Sequence, residues 1–192
     1  ITKEQLEEFL SIVHKYNLMV LSDETYYSMQ HAENKIEPLY LNSPKIISFH
    51  TFSKIFAPGV RTGWLQTLND QIISRLNESG FIDSGGSVNP VIGLIMSKVI
   101  STDEYSHYLR VMLLSLESKR DLICQVLDSY PDTFSYVKPD GGYFIFVKLN
   151  DKYEIDSNRF LEICKSHGVT FHQGWKFTTN ELKDKYKNYF RL

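Results

Sequence analysis

The chain has 192 residues, 42% of them hydrophobic and 14% aromatic, which excludes a disordered tract and allows one large domain or two modest ones. A net charge of −2 gives no electrostatic reason to expect a nucleic-acid or anionic-membrane partner. The two cysteines, Cys124 and Cys164, are too distant in sequence for a metal-type pair and suit a reducing, intracellular compartment.

Thr2 and Gln5 fit a capping box at the start of a helix, with Leu6, Phe9, Leu10 and Val13 on one face and Asn17 as its end. Leu18–Leu21 is a continuous apolar run, as expected of a strand buried on both faces. It stops at Ser22-Asp23-Glu24-Thr25-Tyr26. Ile46, Ile47 and Phe49 mark a second strand, so the order helix, strand, loop, strand predicts a parallel α/β sheet.

Beyond that second strand come two hydroxyls, Thr51 and Ser53, then Lys54, then the turn signal Ala57-Pro58-Gly59 and Arg61. Ligands of open α/β sheets bind just past the carboxyl ends of strands. A lysine in a partly desolvated pocket forms Schiff bases with carbonyl compounds, and hydroxyls with a guanidinium suit a phosphate. Pyridoxal 5′-phosphate (PLP) carries both an aldehyde and a phosphate. Asp23 also falls just past a strand end. There it either pairs with a pyridine nitrogen, making the ring a better electron sink, or only caps the following turn. Tyr26 can offer its phenol to a ring oxygen.

Farther along, Asn69 or Asp70 caps a helix through Leu76. The segment 83–90 reads as a glycine-rich connection in which Gly85 and Gly86 lack a phosphate-loop pattern, and Asn89 caps the next helix with Pro90 in its first turn. Val91–Met96 is the most apolar helical run, but Ser97 and Lys98 break it, so it is too short to span a bilayer. Thr102 or Asp103 opens a long helix, which Pro131 follows. A Pro139-Asp-Gly-Gly142 turn then precedes a strand, Asp156 or Ser157 caps a helix that Gly168 terminates, and 169–172 and 188–192 are short strand candidates. This α+β portion is expected to be a second domain, with the division at 1–112 and 113–192. The six histidines form no metal-type pattern and no Gly-x-Ser-x-Gly nucleophile elbow occurs, so no metal site and no hydrolase chemistry is expected.

Asp23-Glu-Thr-Tyr26, Ser48-Phe-His-Thr-Phe-Ser-Lys54 with Arg61-Thr-Gly-Trp64, Pro139-Asp-Gly-Gly-Tyr-Phe-Ile-Phe146 and Tyr189-Phe-Arg-Leu192 stand in that order. Together they resemble class I/II aminotransferases of PLP fold type I, and are closest to the kynurenine/2-aminoadipate aminotransferase branch. The resemblance covers essentially the whole chain. It implies an α/β fold in which these residues form part of the large, mainly parallel-sheet PLP-binding domain plus most of the small α+β domain. It further implies that Lys54 carries PLP as a Schiff base and moves protons, that Asp23 pairs with the pyridine nitrogen and Tyr26 with the ring hydroxyl, and that Thr51, Ser53 and Arg61 hold the phosphate. Arg191 is implied to grip the substrate's α-carboxylate. Thr51 stands where the family more often has serine, and the hydroxyl is kept.

The implied reaction moves an amino group between an L-amino acid and a 2-oxo acid by a ping-pong route, in a cytoplasmic homodimer, with neither nucleic acid nor membrane as partner. 2-Aminoadipate, kynurenine and aromatic amino acids are the substrates that the branch suggests. An aminotransferase-like sensing domain of a PLP-binding transcriptional regulator is the competing function, and a lyase or synthase using the same cofactor is a third. In the family about half the protein precedes a segment like Ile1, and a strand and a helix follow one like Leu192. The chain is therefore expected to be a fragment that binds PLP poorly and turns over little by itself.

Overall fold

The computed structural model describes residues 2–31, 36–84 and 89–192, apart from the side chain of Phe81. The expected glycine-rich connection at Gly85 and Gly86 lies outside the described residues. The chain divides into two units, Ile1–Leu113 and Leu114–Leu192.

In the first unit, α1 (Lys3–Lys15) opens with the full capping box. The Thr2 side chain accepts from the Gln5 backbone N–H at 3.3 Å, and Gln5 Oε1 accepts from the Thr2 N–H at 2.8 Å. These bonds satisfy donors that the first helical turn would otherwise leave bare. Asn17, at φ 50°, turns the chain out of the helix. Strands β1 (Val20–Asp23) and β2 (Ile46–Thr51) pair in parallel, and β2 pairs antiparallel with β3 (Gly63–Gln66) in the order β1-β2-β3. Short helix α2 (Phe52–Ile55) follows β2 directly. Helices α3 (Asp70–Asn77), α4 (Gly80–Asp83) and α5 (Pro90–Ile100) come next. Asn69 caps α3 and Asn89 caps α5, each side chain accepting from two backbone N–H groups. The long α6 (Asp103–Asp128) contains the boundary between the units.

One expectation fails here. The apolar run 18–21 is not a strand buried on both faces: β1 begins only at Val20, and Leu21 is 66% exposed. Among the described residues β1 has a strand neighbour on one side only, so its apolar content does not report burial. The third strand, Gly63-Trp64-Leu65-Gln66, has no clear signal in the sequence because it is short and follows a turn. Gly63 is required there, since a Cβ on it would lie 2.5 Å from the backbone oxygen of His50.

In the second unit the sheet order is β4-β5-β7-β6, all antiparallel: β4 (Phe134–Tyr136), β5 (Phe146–Leu149), β6 (His172–Gln173) and β7 (Tyr189–Arg191). Helix α7 (Ser157–Ser166) is capped by Asp156, whose carboxylate accepts from the N–H groups of Asn158 and Arg159. Those bonds, chiefly the one from Arg159, hold the Asp156 carboxyl below its usual range. Because side chains alternate across a strand, Val147 opposite Phe190, with Ile145 and Leu149, falls on one face and packs on Cys124 and Leu127 of α6. Each fully buried aliphatic side chain of this core contributes about 1.5–3 kcal/mol. The other face carries Phe146 opposite Arg191 and Lys148 opposite Tyr189.

Replacing Gly63 with alanine forces β2 and β3 apart at His50. Urea unfolding should show a loss of about 1–3 kcal/mol with an unchanged denaturant slope, and a midpoint equal to that of the native sequence would refute the close approach.

Candidate active site

Four of the expected cofactor residues, Asp23, Thr51, Ser53 and Lys54, stand at the carboxyl ends of two neighbouring parallel strands. Asp23 is the last residue of β1 and pairs in register with Phe49 of β2. The Glu24 N–H donates to the Phe49 oxygen at 2.9 Å, which carries the pairing one residue farther. Thr51 ends β2 and caps α2, its hydroxyl accepting from the Ser53 N–H at 3.1 Å. Ser53 and Lys54 lie within α2.

The return to β3 is tied to the same place. The Thr62 backbone oxygen accepts from the Thr51 hydroxyl at 3.3 Å and from the Phe52 N–H at 3.0 Å. Arg61, just before Thr62, sits in the left-handed region at φ 49°, ψ 36°, and its Nη1 donates to the Pro58 oxygen at 3.1 Å. A non-glycine residue there carries strain of order 1–2 kcal/mol, held by the surrounding turn. Tyr26 precedes the 3₁₀ turn Tyr27–Met29, and its backbone oxygen accepts from the Met29 N–H at 2.9 Å.

Asp23 accepts from the Thr25 hydroxyl and from the Thr25 N–H at 3.1 Å. Those two bonds, the hydroxyl first, hold its carboxyl below the ordinary range. Turn capping and a charged carboxylate at the strand end are therefore one arrangement: the bonds that shape the turn also keep Asp23 ionised. Lys54 is exposed, so the described residues provide no desolvated pocket around its amine. An apolar cavity of about 500 Å³ borders α2, walled by Phe52, Ile55, Trp64, Met96, Ile100 and Leu109 among others, but none of Asp23, Lys54 and Arg61 lines it.

A buried polar group beneath the site was not singled out from sequence. Glu24 Oε1 accepts from the Ser48 hydroxyl at 2.5 Å and from the Leu39 N–H at 3.1 Å. Its other oxygen is 4.0 Å from Nε2 of His50, whose ring stacks on Trp64 at 5.0 Å. The available signal was the alternation of β2, which places Ile46, Ser48 and His50 on one face.

Arg191 belongs to the second unit, on central strand β7. It lines a cleft of about 390 Å³ with Phe146, Gly174, Phe177, Thr178 and Tyr186.

Residues 1–192 match the family model described as Aminotransferase class I and II. The chain belongs to the class I and II aminotransferase family. It is 24% identical over 178 residues to an aromatic-amino-acid aminotransferase of Thermococcus litoralis, covering 91% of this chain and 42% of that protein. It is 23% identical over 185 residues to the HTH-type transcriptional regulator NorG of Staphylococcus aureus, covering 94% of this chain and 41% of that protein. The chain thus spans less than half the length of these relatives. The crystal structure of Pyrococcus horikoshii kynurenine aminotransferase, with PMP and KYN as substrates and KYA as products, superposes with a TM-score of 0.83 at 26% identity. That match covers the whole of this chain and 46% of the other. The fold is that of type I PLP-dependent transferases, and PLP is the cofactor of this aminotransferase family.

The residues present fit such a group. Asp23 offers an ionised carboxylate to a pyridinium, Ser53 and Arg61 offer hydroxyl and guanidinium donors to a phosphate beside the Thr51 hydroxyl, which here donates to the Thr62 oxygen, and Lys54 offers an amine to a carbonyl. Replacing Thr25 with valine removes the hydroxyl bond, so the Asp23 carboxyl should rise toward its ordinary range. A native pKa below the unfolded value stabilises the fold above that value and loses the contribution as pH falls through the native one. The variant should therefore unfold at slightly higher pH on acidification, and a carboxyl-carbon NMR titration of Asp23 should show the shift. An unmoved titration would show that Thr25 does not govern this carboxylate.

Proposed function

We propose that the whole protein is a PLP-dependent aminotransferase that moves an amino group between an L-amino acid and a 2-oxo acid by a ping-pong route. The observation that carries this reading is the placement of an ionised carboxylate and a lysine at the carboxyl ends of adjacent parallel strands β1 and β2. When bound, PLP supplies an electron sink for negative charge at the substrate's α-carbon. The chain's own groups do the rest. Lys54 Nζ is the nucleophile that tethers the cofactor through its carbonyl, and the base that moves a proton from the α-carbon. Asp23, kept charged by Thr25, favours the protonated pyridine nitrogen, and Tyr26 gives its phenol to the ring hydroxyl. Thr51, Ser53 and Arg61 hold the phosphate, and Arg191 holds the substrate α-carboxylate in a bidentate pair for which lysine is no substitute. In this reading residues 1–112 contribute to the PLP-binding domain and 113–192 to the small domain of a cytoplasmic homodimer, acting on 2-aminoadipate, kynurenine or an aromatic amino acid.

The likeness to an HTH-type regulator keeps a second reading open, a PLP-binding sensor domain beside a DNA-binding segment. Borohydride reduction of the PLP-incubated whole protein, followed by peptide mapping, separates cofactor chemistry from incidental modification. A pyridoxyl adduct on Lys54, with parallel-line kinetics for an amino donor and a 2-oxo acceptor, is expected. Lys54→Ala should lower turnover by about 10²–10⁴-fold. An adduct on Lys54 without amino transfer would favour the sensor, and label scattered over surface lysines would remove the PLP assignment.

A further inference from the structure

The guanidinium of Arg191 lies between two aromatic rings. Its Cζ is 3.9 Å from the ring centre of Phe144 and 4.0 Å from that of Phe177. Both distances are well inside the range in which a cation is drawn to an aromatic face. Among the described residues no carboxylate pairs with Arg191, and its Nε is buried with no hydrogen-bond partner. A structural arginine ordinarily answers its charge with an internal carboxylate or with carbonyl oxygens. This one is shielded by rings, unanswered by an internal anion, and placed beside an open cleft.

The chain brings both rings to it by separate local devices. Phe144 lies two residues before Phe146, and the exchange of hydrogen bonds between Ile145 and Leu192, at 3.0 and 3.1 Å, extends the β5–β7 ladder by one pair. The alternation then sets Phe144, Phe146 and Arg191 on one face. Phe177 ends the 3₁₀ turn Gly174–Phe177. That turn packs closely on β7 because Gly174 has no side chain: a Cβ there would lie 2.4 Å from Cβ of Tyr189.

We propose that Phe144 and Phe177 are positioning residues that clamp Arg191 between them and set the affinity of the cleft for a carboxylate. The inference rests on the reading of Arg191 as the group that takes the substrate α-carboxylate. A free arginine side chain loses much rotamer freedom on binding, and a clamped one has lost it already. The rings also displace water from the guanidinium, so a carboxylate bonded to its nitrogens meets a stronger field than at an open surface.

The test uses the whole protein and reads the side-chain Nε–H resonance of Arg191, assigned by its absence in Arg191→Lys. In the clamp this proton should be displaced by the two ring currents, and it should titrate with acetate as the carboxylate probe. Phe177→Leu keeps apolar bulk but removes the π face, so it should return the resonance toward the ordinary arginine position. It should also weaken acetate binding by about three- to tenfold, and Phe177→Tyr should restore both. Phe144→Leu should act in the same direction. In the holoenzyme, Phe177→Leu should raise KM for donor and acceptor alike while kcat stays within about twofold, a split that loss of folded protein does not produce. An undisplaced resonance, or acetate bound as tightly by Phe177→Leu as by the native chain, would overturn the clamp. The acetate titration needs no cofactor, so failure of the Lys54 adduct would retire the aminotransferase reading and leave this result standing.

Discussion

The parallel register of β1 on β2 is the constraint on which the first unit depends. Pairing Asp23 with Phe49 makes the two strands finish within a few residues of each other, so the loop after one and the helix after the other open at the same edge. A slip of one residue would turn Ser48 and His50 outward and break the bonds from Ser48 and Leu39 to Glu24. That buried polar group fixes the register as a purely apolar interior would not, because a wrong pairing strands a carboxylate without donors. The Thr62 oxygen then fastens the start of β3 to Thr51 and Phe52, which delivers Arg61 to the same edge despite the strain at its backbone.

The second unit solves a different problem with the same alternation. Single-residue steps along β5 and β7 divide its sheet into a core face and a second face. Ile145, Val147, Leu149 and Phe190 are buried, whereas Phe144 and Phe146 are 39% and 37% exposed. On that second face Phe146 stacks on Tyr189 and Phe144 lies against the Arg191 guanidinium, so the aromatic rings pack on one another and on a cation instead of on the core.

Much of this was legible in the sequence wherever a residue acts on its own neighbours. Thr2, Asn69, Asn89 and Asp156 are caps because their side chains reach donors two or three residues away, so the signal is local and survives any tertiary context. The edge at Thr51–Arg61 was legible for the same reason: a β-rich run, hydroxyls, a lysine and a Pro-Gly turn are contiguous. Burial was not. The run at Leu18–Leu21 has the composition of an interior strand, but whether a strand is covered depends on which elements lie against it. β3 and β4 carry little signal because, at four and three residues, each is too short to show an alternation of its own. The contacts of Arg191 with Phe144 and Phe177 join residues 47 and 14 positions apart, a distance over which no spacing rule operates.

The enzyme and sensor readings make the same demands on most of these groups, since both require a phosphate clamp, a partner for the pyridine nitrogen and a hold on a carboxylate. They part at Lys54. A sensor needs its amine only as a tether, and any geometry that lets Nζ reach the carbonyl will serve. A transferase needs the same nitrogen to be released and to return as a base, which demands a mobile lysine next to a carboxylate that stays charged throughout. For the first, the short helix α2 sets Lys54 outside the core at the end of β2. The Thr25 bonds that keep Asp23 ionised supply the second.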